Sequence, residues 1–331
     1  MSIFKRLYNV TTPGKGVKKK KMTDKERFGL RNFFVIYKEK FWHLITLNFI
    51  YILINLPLFF PLLAFSGMFS TPVQAPLNGM IFEPLYGAML YSPTPEISAI
   101  FGIFGSQATI HVNNPTVTTL YMLSALLLLT FGIANTGMTY VLRGFVRGDH
   151  MSVWRDFFYG VKTNLFRGII MGFFDLGIMV LMVFSAHFYN ANFNEGMNAL
   201  FFFTSFGFIV IYFFMRFYIY LMLITFRIKP ARLIKNALIF VMLCIKRNLA
   251  AFIGIVLFIA LNGVLLSIPF FTAVGLVMPF ILAFSTCSFM AAHAAYAGIK
   301  KYMIDPYYDE HPEEIPGERI EIIEPIFTDR G

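Results

Sequence analysis

Six long apolar segments constrain this chain more than any other feature: roughly 44–65, 117–142, 168–188, 199–226, 249–270 and 272–299. Each reaches the about 20 predominantly apolar residues that a helix needs to cross a bilayer core. Composition points the same way. Of 331 residues, 57% are hydrophobic and 14% charged, against roughly 45–50% and about 25% in soluble domains. A soluble fold of this length has too little interior to hide that much apolar surface. The prediction is an all-α polytopic membrane protein with six transmembrane helices. The same figures exclude a disordered chain, a nucleic-acid binder and a disulfide scaffold, which two Cys cannot build.

Lys and Arg set the expected orientation. Residues 1–43 hold 12 of the 28, 143–167 hold 5, 227–247 hold 6 and 300–331 hold 4, with Arg216 alone inside a span. The alternate segments 66–116, 189–198 and 271 hold none. Both termini are therefore expected in the cytoplasm. The first apolar stretch is too long for a signal-peptide core, so it is expected to stay as an anchor. The predicted organisation is a basic arm (1–27), a transmembrane domain (28–300) with a long outer loop (66–116), and an acidic tail (301–331).

Segments ahead of the first and third spans read alike. Arg31-Asn32-Phe33-Phe34, then Lys38 and Phe41, matches Arg155-Asp156-Phe157-Phe158, then Lys162 and Leu165, without a gap. A weaker third copy, Lys235-Asn236 with Lys246-Arg247-Asn248-Leu249, aligns its Asn248 with Asn164 after one extra helical turn. These segments predict amphipathic helices in the cytoplasmic interface, each followed by a span out and a span back. Such two-span units would be parallel repeats about an axis along the membrane normal.

Asp175 and Arg216 are the charges inside the spans. Asp175 lies about 12 Å beyond Arg167 and Arg216 about 16 Å before Arg227, at helical rise. Their helices are consecutive and antiparallel, so the two are expected to pair. A lone charge at mid-bilayer costs at least about 2.5–3.5 kcal/mol, which pairing offsets. Two roles stay open: a bridge fixing helix register, or a gate on a solute path. Asn48, Asn135 and His293 lie at similar depth and are the candidates to line that path; each taken alone reads first as a packing hydrogen bond. Lys18, Lys19, Lys20 and Lys21 are expected to bind anionic lipid. Pro57 and Pro61 predict a kink in the first span. Thr94-Pro95-Glu96 predicts a helix start in the outer loop. The small-residue pattern Gly168-xxx-Gly172 predicts close packing inside the bundle.

Phe41-Trp42-His43-Leu44, Leu47-Asn48-Phe49 and Leu56-Pro57 resemble the first span of the YesL-type bacterial membrane proteins. The run from Met138 through Arg143-Gly144-Phe145-Val146-Arg147-Gly148-Asp149 and Trp154-Arg155-Asp156-Phe157-Phe158 to Lys162-Thr163-Asn164 carries the specific part. The resemblance covers about residues 40–300, and the long outer loop, basic arm and acidic tail depart from the family pattern. It implies a bacterial plasma membrane and a sugar-uptake setting, with sugar-import components as partners, but supplies no site residues. No GxxxxGK[ST], HExxH or GxSxG occurs, and the six His lack ligand spacing. The expectation is therefore a non-enzymatic protein without cofactor or metal. Its function is read as transport-associated, with a scaffold or regulatory subunit as the alternative.

Overall fold

The computed structural model describes residues 27–76, 91, 94–104, 107–193 and 196–311. Lys18–Lys21, most of the acidic tail and much of the outer loop lie outside them. Helices run in the order α1 (Leu30–Glu39), α2 (Phe41–Ile54), a 3-10 turn (Leu56–Leu58) and α3 (Phe59–Phe65). Strand β1 (Thr71–Pro76), α4 (Pro95–Phe104) and β2 (Gln107–Val112) follow, then α5 (Pro115–Ser124), α6 (Leu127–Arg147), α7 (Val153–Ala191) and α8 (Asn198–Thr225). The chain continues through α9 (Pro230–Leu243), α10 (Ile245–Ser267) and α11 (Thr272–Met278). A π-turn (Pro279–Ala283), α12 (Phe284–Ile299), a second π-turn (Lys300–Ile304) and α13 (Asp305–Glu310) close it as one long helix.

Among the described residues, four helices are long and apolar enough to cross a membrane: Val153–Ala191, Asn198–Thr225, Ile245–Ser267 and Thr272–Glu310. The count reaches six when two bent pairs are each taken as one span. The first pair bends by 62° between Phe41–Ile54 and Leu56–Phe65, where Pro57 and Pro61 remove helical N–H donors. The second bends by 41° between Pro115–Ser124 and Leu127–Arg147. No proline foretold it. There Ala125 and Leu126 bond three residues back, to Met122 and Leu123, tightening the turn.

One expectation needs correction. The chain is not wholly helical, because β1 and β2 pair antiparallel from Thr71↔Val112 to Pro76↔Gln107. That ribbon joins the two ends of the outer loop. The helix predicted ahead of the third apolar segment is present and meets the span at a kink. It forms the start of α7, in which the non-helical φ and ψ of Asn164 separate two helical stretches.

Asn164 has φ −122° and ψ 20°. Lys40, between α1 and α2, has φ −100° and ψ 9°, and Cys244, between α9 and α10, has φ −108° and ψ 25°. All three sit near the bridge region, outside helical geometry. Burial repeats around them. Phe33, Phe157 and Ala237, each seven residues before a break, are buried. So are Leu44, Gly168 and Asn248, four after it, and Tyr51, Asp175 and Ile255, eleven after it. Counted from the breaks, Lys235 stands level with Arg155 and Arg31.

The core gathers toward the basic ends of the helices. Leu44 and Leu47 of α2, Phe145 of α6, Tyr218 and Leu221 of α8 and Phe289 of α12 are fully buried. Farther along, Val180, Leu181 and Phe184 of α7 and Phe203 and Phe206 of α8 are exposed, a lipid-facing pattern. Helices α6 and α7 approach closest. A Cβ at Gly132 would overlap the Gly168 carbonyl oxygen and come within 2.9 Å of the Gly172 Cα. The predicted Gly168-xxx-Gly172 packing is thus internal to the bundle.

Candidate functional site

Asp175 lies in the middle of α7 with no exposed surface. Three side chains of α8 converge on it from one helical face, at a spacing of four residues. Tyr212 Oη donates to Oδ1 at 2.8 Å, and Tyr220 Oη donates to Oδ2 at 2.9 Å. Between them Arg216 Nε sits 3.1 Å from Oδ1 and 3.2 Å from Oδ2. The carboxylate thus takes donors at both oxygens, which a buried charge requires.

Arg216 is held on one edge only. Its guanidinium carbon stands 5.5 Å from the Phe131 ring centre, a cation–π contact. Among the described residues, neither Nη atom has a hydrogen-bond partner. The side chain keeps 29% of its surface, and it borders a cavity of about 180 Å³. Asn135, Thr139, Tyr220 and Ser288 contribute polar groups to walls that are otherwise apolar, with Met138, Phe213, Phe217 and Ile255. It has room for several waters. Asn135 is fixed there by donating Nδ2–H to Phe131 O at 2.8 Å, while its Oδ1 accepts from Tyr51 Oη at 3.4 Å.

The other two path candidates are placed elsewhere. Asn48 is fully buried against the first π-turn. Its Nδ2 donates to Pro279 O at 3.2 Å and Phe280 O at 2.7 Å, and its Oδ1 accepts from Ser285 N at 2.9 Å. A π-turn leaves backbone groups without their helical partners, and this amide satisfies three of them. His293 points away from the charge pair. Its ring is enclosed by those of Phe28, Phe33 and Phe289, with centroids 6.1, 5.3 and 6.2 Å away. Sequence reasoning passed over Tyr212 and Tyr220, although their spacing about Arg216 was readable as one helical face.

A larger recess of about 730 Å³ lies at the basic helix ends. Its cations are already engaged. Arg143 donates to Ile224 O at 3.0 Å and Thr225 Oγ1 at 3.2 Å, Arg147 pairs with Asp149 at 3.2 Å, and Lys300 pairs with Asp305 at 3.0 Å.

Residues 116–186 match the family described as a protein of unknown function, DUF624. The match takes in all of α6 and most of α7, including Asn135 and Asp175, and stops before Arg216. Comparison with curated proteins and with solved structures returns no match. The chain is a helical protein with several membrane-length apolar helices and a DUF624 region.

Proposed function

We propose that this is a transport-associated protein of the bacterial plasma membrane, permease-like or accessory, handling a small and saccharide-derived solute. In this reading the chain is of the YesL type, both bent pairs are spans, giving six, and both termini are cytoplasmic. The basic arm with Lys18–Lys21 adheres to anionic lipid, and no catalysis or cofactor is involved. The observation that carries the reading is the divided guanidinium of Arg216: one edge on Asp175, the other beside a cavity whose largely apolar walls carry several polar groups. A charge serving only to fix register is better closed off on every side. Arg216 instead offers donors to the oxygens of a hydroxyl-rich or anionic solute.

The equivalent breaks at Lys40, Asn164 and Cys244 favour three two-span repeats. Counted from each break, Tyr51, Asp175 and Ile255 are equivalent positions. Tyr51 bonds Asn135, Asp175 holds Arg216 and Ile255 lines the cavity. The repeats would therefore meet at the charge pair, where repeat-built transporters place their sites.

The competing reading is a membrane scaffold, favoured by the complete enclosure of Asp175. Uptake of labelled sugars and detergent thermal stability, measured together on Asp175→Asn, Arg216→Gln and the charge-swapped double variant, separate the two. The transport reading expects Arg216→Gln to fold and to lose uptake of one solute, with no rescue by the swap. Recovery of both stability and phenotype in the swap would make the pair a static bridge and leave the scaffold.

A further inference from the structure

A groove of about 640 Å³ runs along the outside of α10, walled by α1 on one side and α12 on the other. Its floor is one face of α10: Ala250, Gly254, Leu257, Phe258 and Leu261 recur at helical spacing. From Arg247 to Leu261 the groove extends about 21 Å at helical rise, more than half of the roughly 30 Å hydrocarbon core. Leu30 and Phe34 of α1, both well exposed, stand at its rim.

Its two ends differ in chemistry. Lys246 and Arg247 stand at the N-terminal end of α10 and line the groove there. Both are exposed, and among the described residues neither has a hydrogen-bond or ion-pair partner. Just inside lies His293, which keeps only 7% of its surface, and whose Nε2 is buried without a partner among the described residues. A buried polar atom left unpaired is costly. Beyond it the walls are apolar to the end. The apolar groove between α7 and α8, lined by Ile178, Leu181, Met182 and Phe208, has no such cations.

We propose that this groove seats one anionic phospholipid of the leaflet at the α10 N-terminus. Lys246 and Arg247 hold its phosphate, the His293 ring lies level with the glycerol esters, and one acyl chain lies along α10 over Gly254. Each contact follows from the order of chemistry along the groove: two cations, a polar atom, then hydrocarbon. The absence of a side chain at Gly254 keeps the floor open. A Cβ there already comes within 3.2 Å of Met290 Sδ, and a longer side chain would occupy the acyl track. This inference does not depend on the transport reading.

The test uses the full chain in phosphatidylcholine vesicles containing a phosphatidylglycerol probe with a photoreactive acyl chain, or the matching phosphatidylcholine probe. Crosslinked peptides are mapped by mass spectrometry. The glycerol probe should label 250–261 and the α1 wall on the order of tenfold more than the choline probe, as two juxtaposed cations predict. Labelling of the α7–α8 groove should be equal for both. Lys246→Gln with Arg247→Gln, two exposed changes that leave the core alone, should remove the preference. Gly254→Leu should lower groove labelling by either probe. Equal labelling by both probes in the native chain, or an unchanged preference in the double variant, overturns the proposal and leaves ordinary annular lipid. Crosslinks to a second copy in place of lipid overturn it as well.

Discussion

Asn48 and Asp175 are both fully buried polar side chains on apolar helices, yet they are satisfied in different ways. Asn48 bonds only to backbone: two carbonyls and one N–H of the π-turn and the residues after it. Those partners are fixed by the helix that bears them, so the amide works as a clasp between α2 and the α11–α12 rod. Asp175 bonds only to side chains, Tyr212, Arg216 and Tyr220. Side chains change rotamer while their helix stays put. Burial alone therefore does not say how a polar group is held; the nature of its partners does.

The sharpest way to break this comparison is Asp175→Ala. It leaves a guanidinium and two phenol hydroxyls without their acceptor, and breaking a buried pair typically costs about 3–5 kcal/mol. Detergent thermal unfolding should show the largest loss of any single change considered. Asn48→Ala strands backbone groups at the π-turn, for about 1–3 kcal/mol. It should lower the unfolding temperature less than Asp175→Ala and leave solute uptake per folded molecule unchanged; a selective loss of uptake would erase the distinction drawn between the two residues. The smallest effect concerns Cys244, at the third helix break. Burial pushes its thiol above the ordinary cysteine range. Thiolate is the reactive form, so a raised pKa means less of it at neutral pH. Maleimide labelling in the folded protein should be slow and rise only in alkaline buffer, and fast labelling at neutral pH would show that the break is open.

The pairing of Asp175 with Arg216 was legible because hydrocarbon forbids solitary charges and because consecutive spans run antiparallel. Depth along a helix was readable too, from the distance to the nearest basic end. Azimuth was not. His293 and Asn135 are at similar depth, but one faces an outer aromatic cage and the other the inner cavity, a choice made by which neighbours each helix packs against. Asn48 shows a further limit, since a π-turn hundreds of residues away has no local signature that would assign it a partner. The bend at Ala125–Leu126 likewise lacks a proline. The β1–β2 ribbon depends on pairing across the outer loop, which neither strand announces alone. Pro57, the Gly168-xxx-Gly172 pattern and the Thr94 cap were readable because each acts within a few residues; Thr94 Oγ1 does accept from Ile97 N at 3.3 Å.

The one-sided hold on Arg216 has an electrical consequence. Set in an energised bilayer, the closed Asp175–Arg216 pair is a short dipole with no net charge, and the membrane potential exerts almost no force on it. In the transport reading, a swing of Arg216 away from Asp175 would carry its charge through part of the field, against about 2.3 kcal/mol per 100 mV for a complete crossing. An anionic solute would cancel that charge and a neutral one would not. That single step would feel the voltage with a neutral sugar and not with an acidic one, whereas over a full cycle only a charged solute carries net charge across.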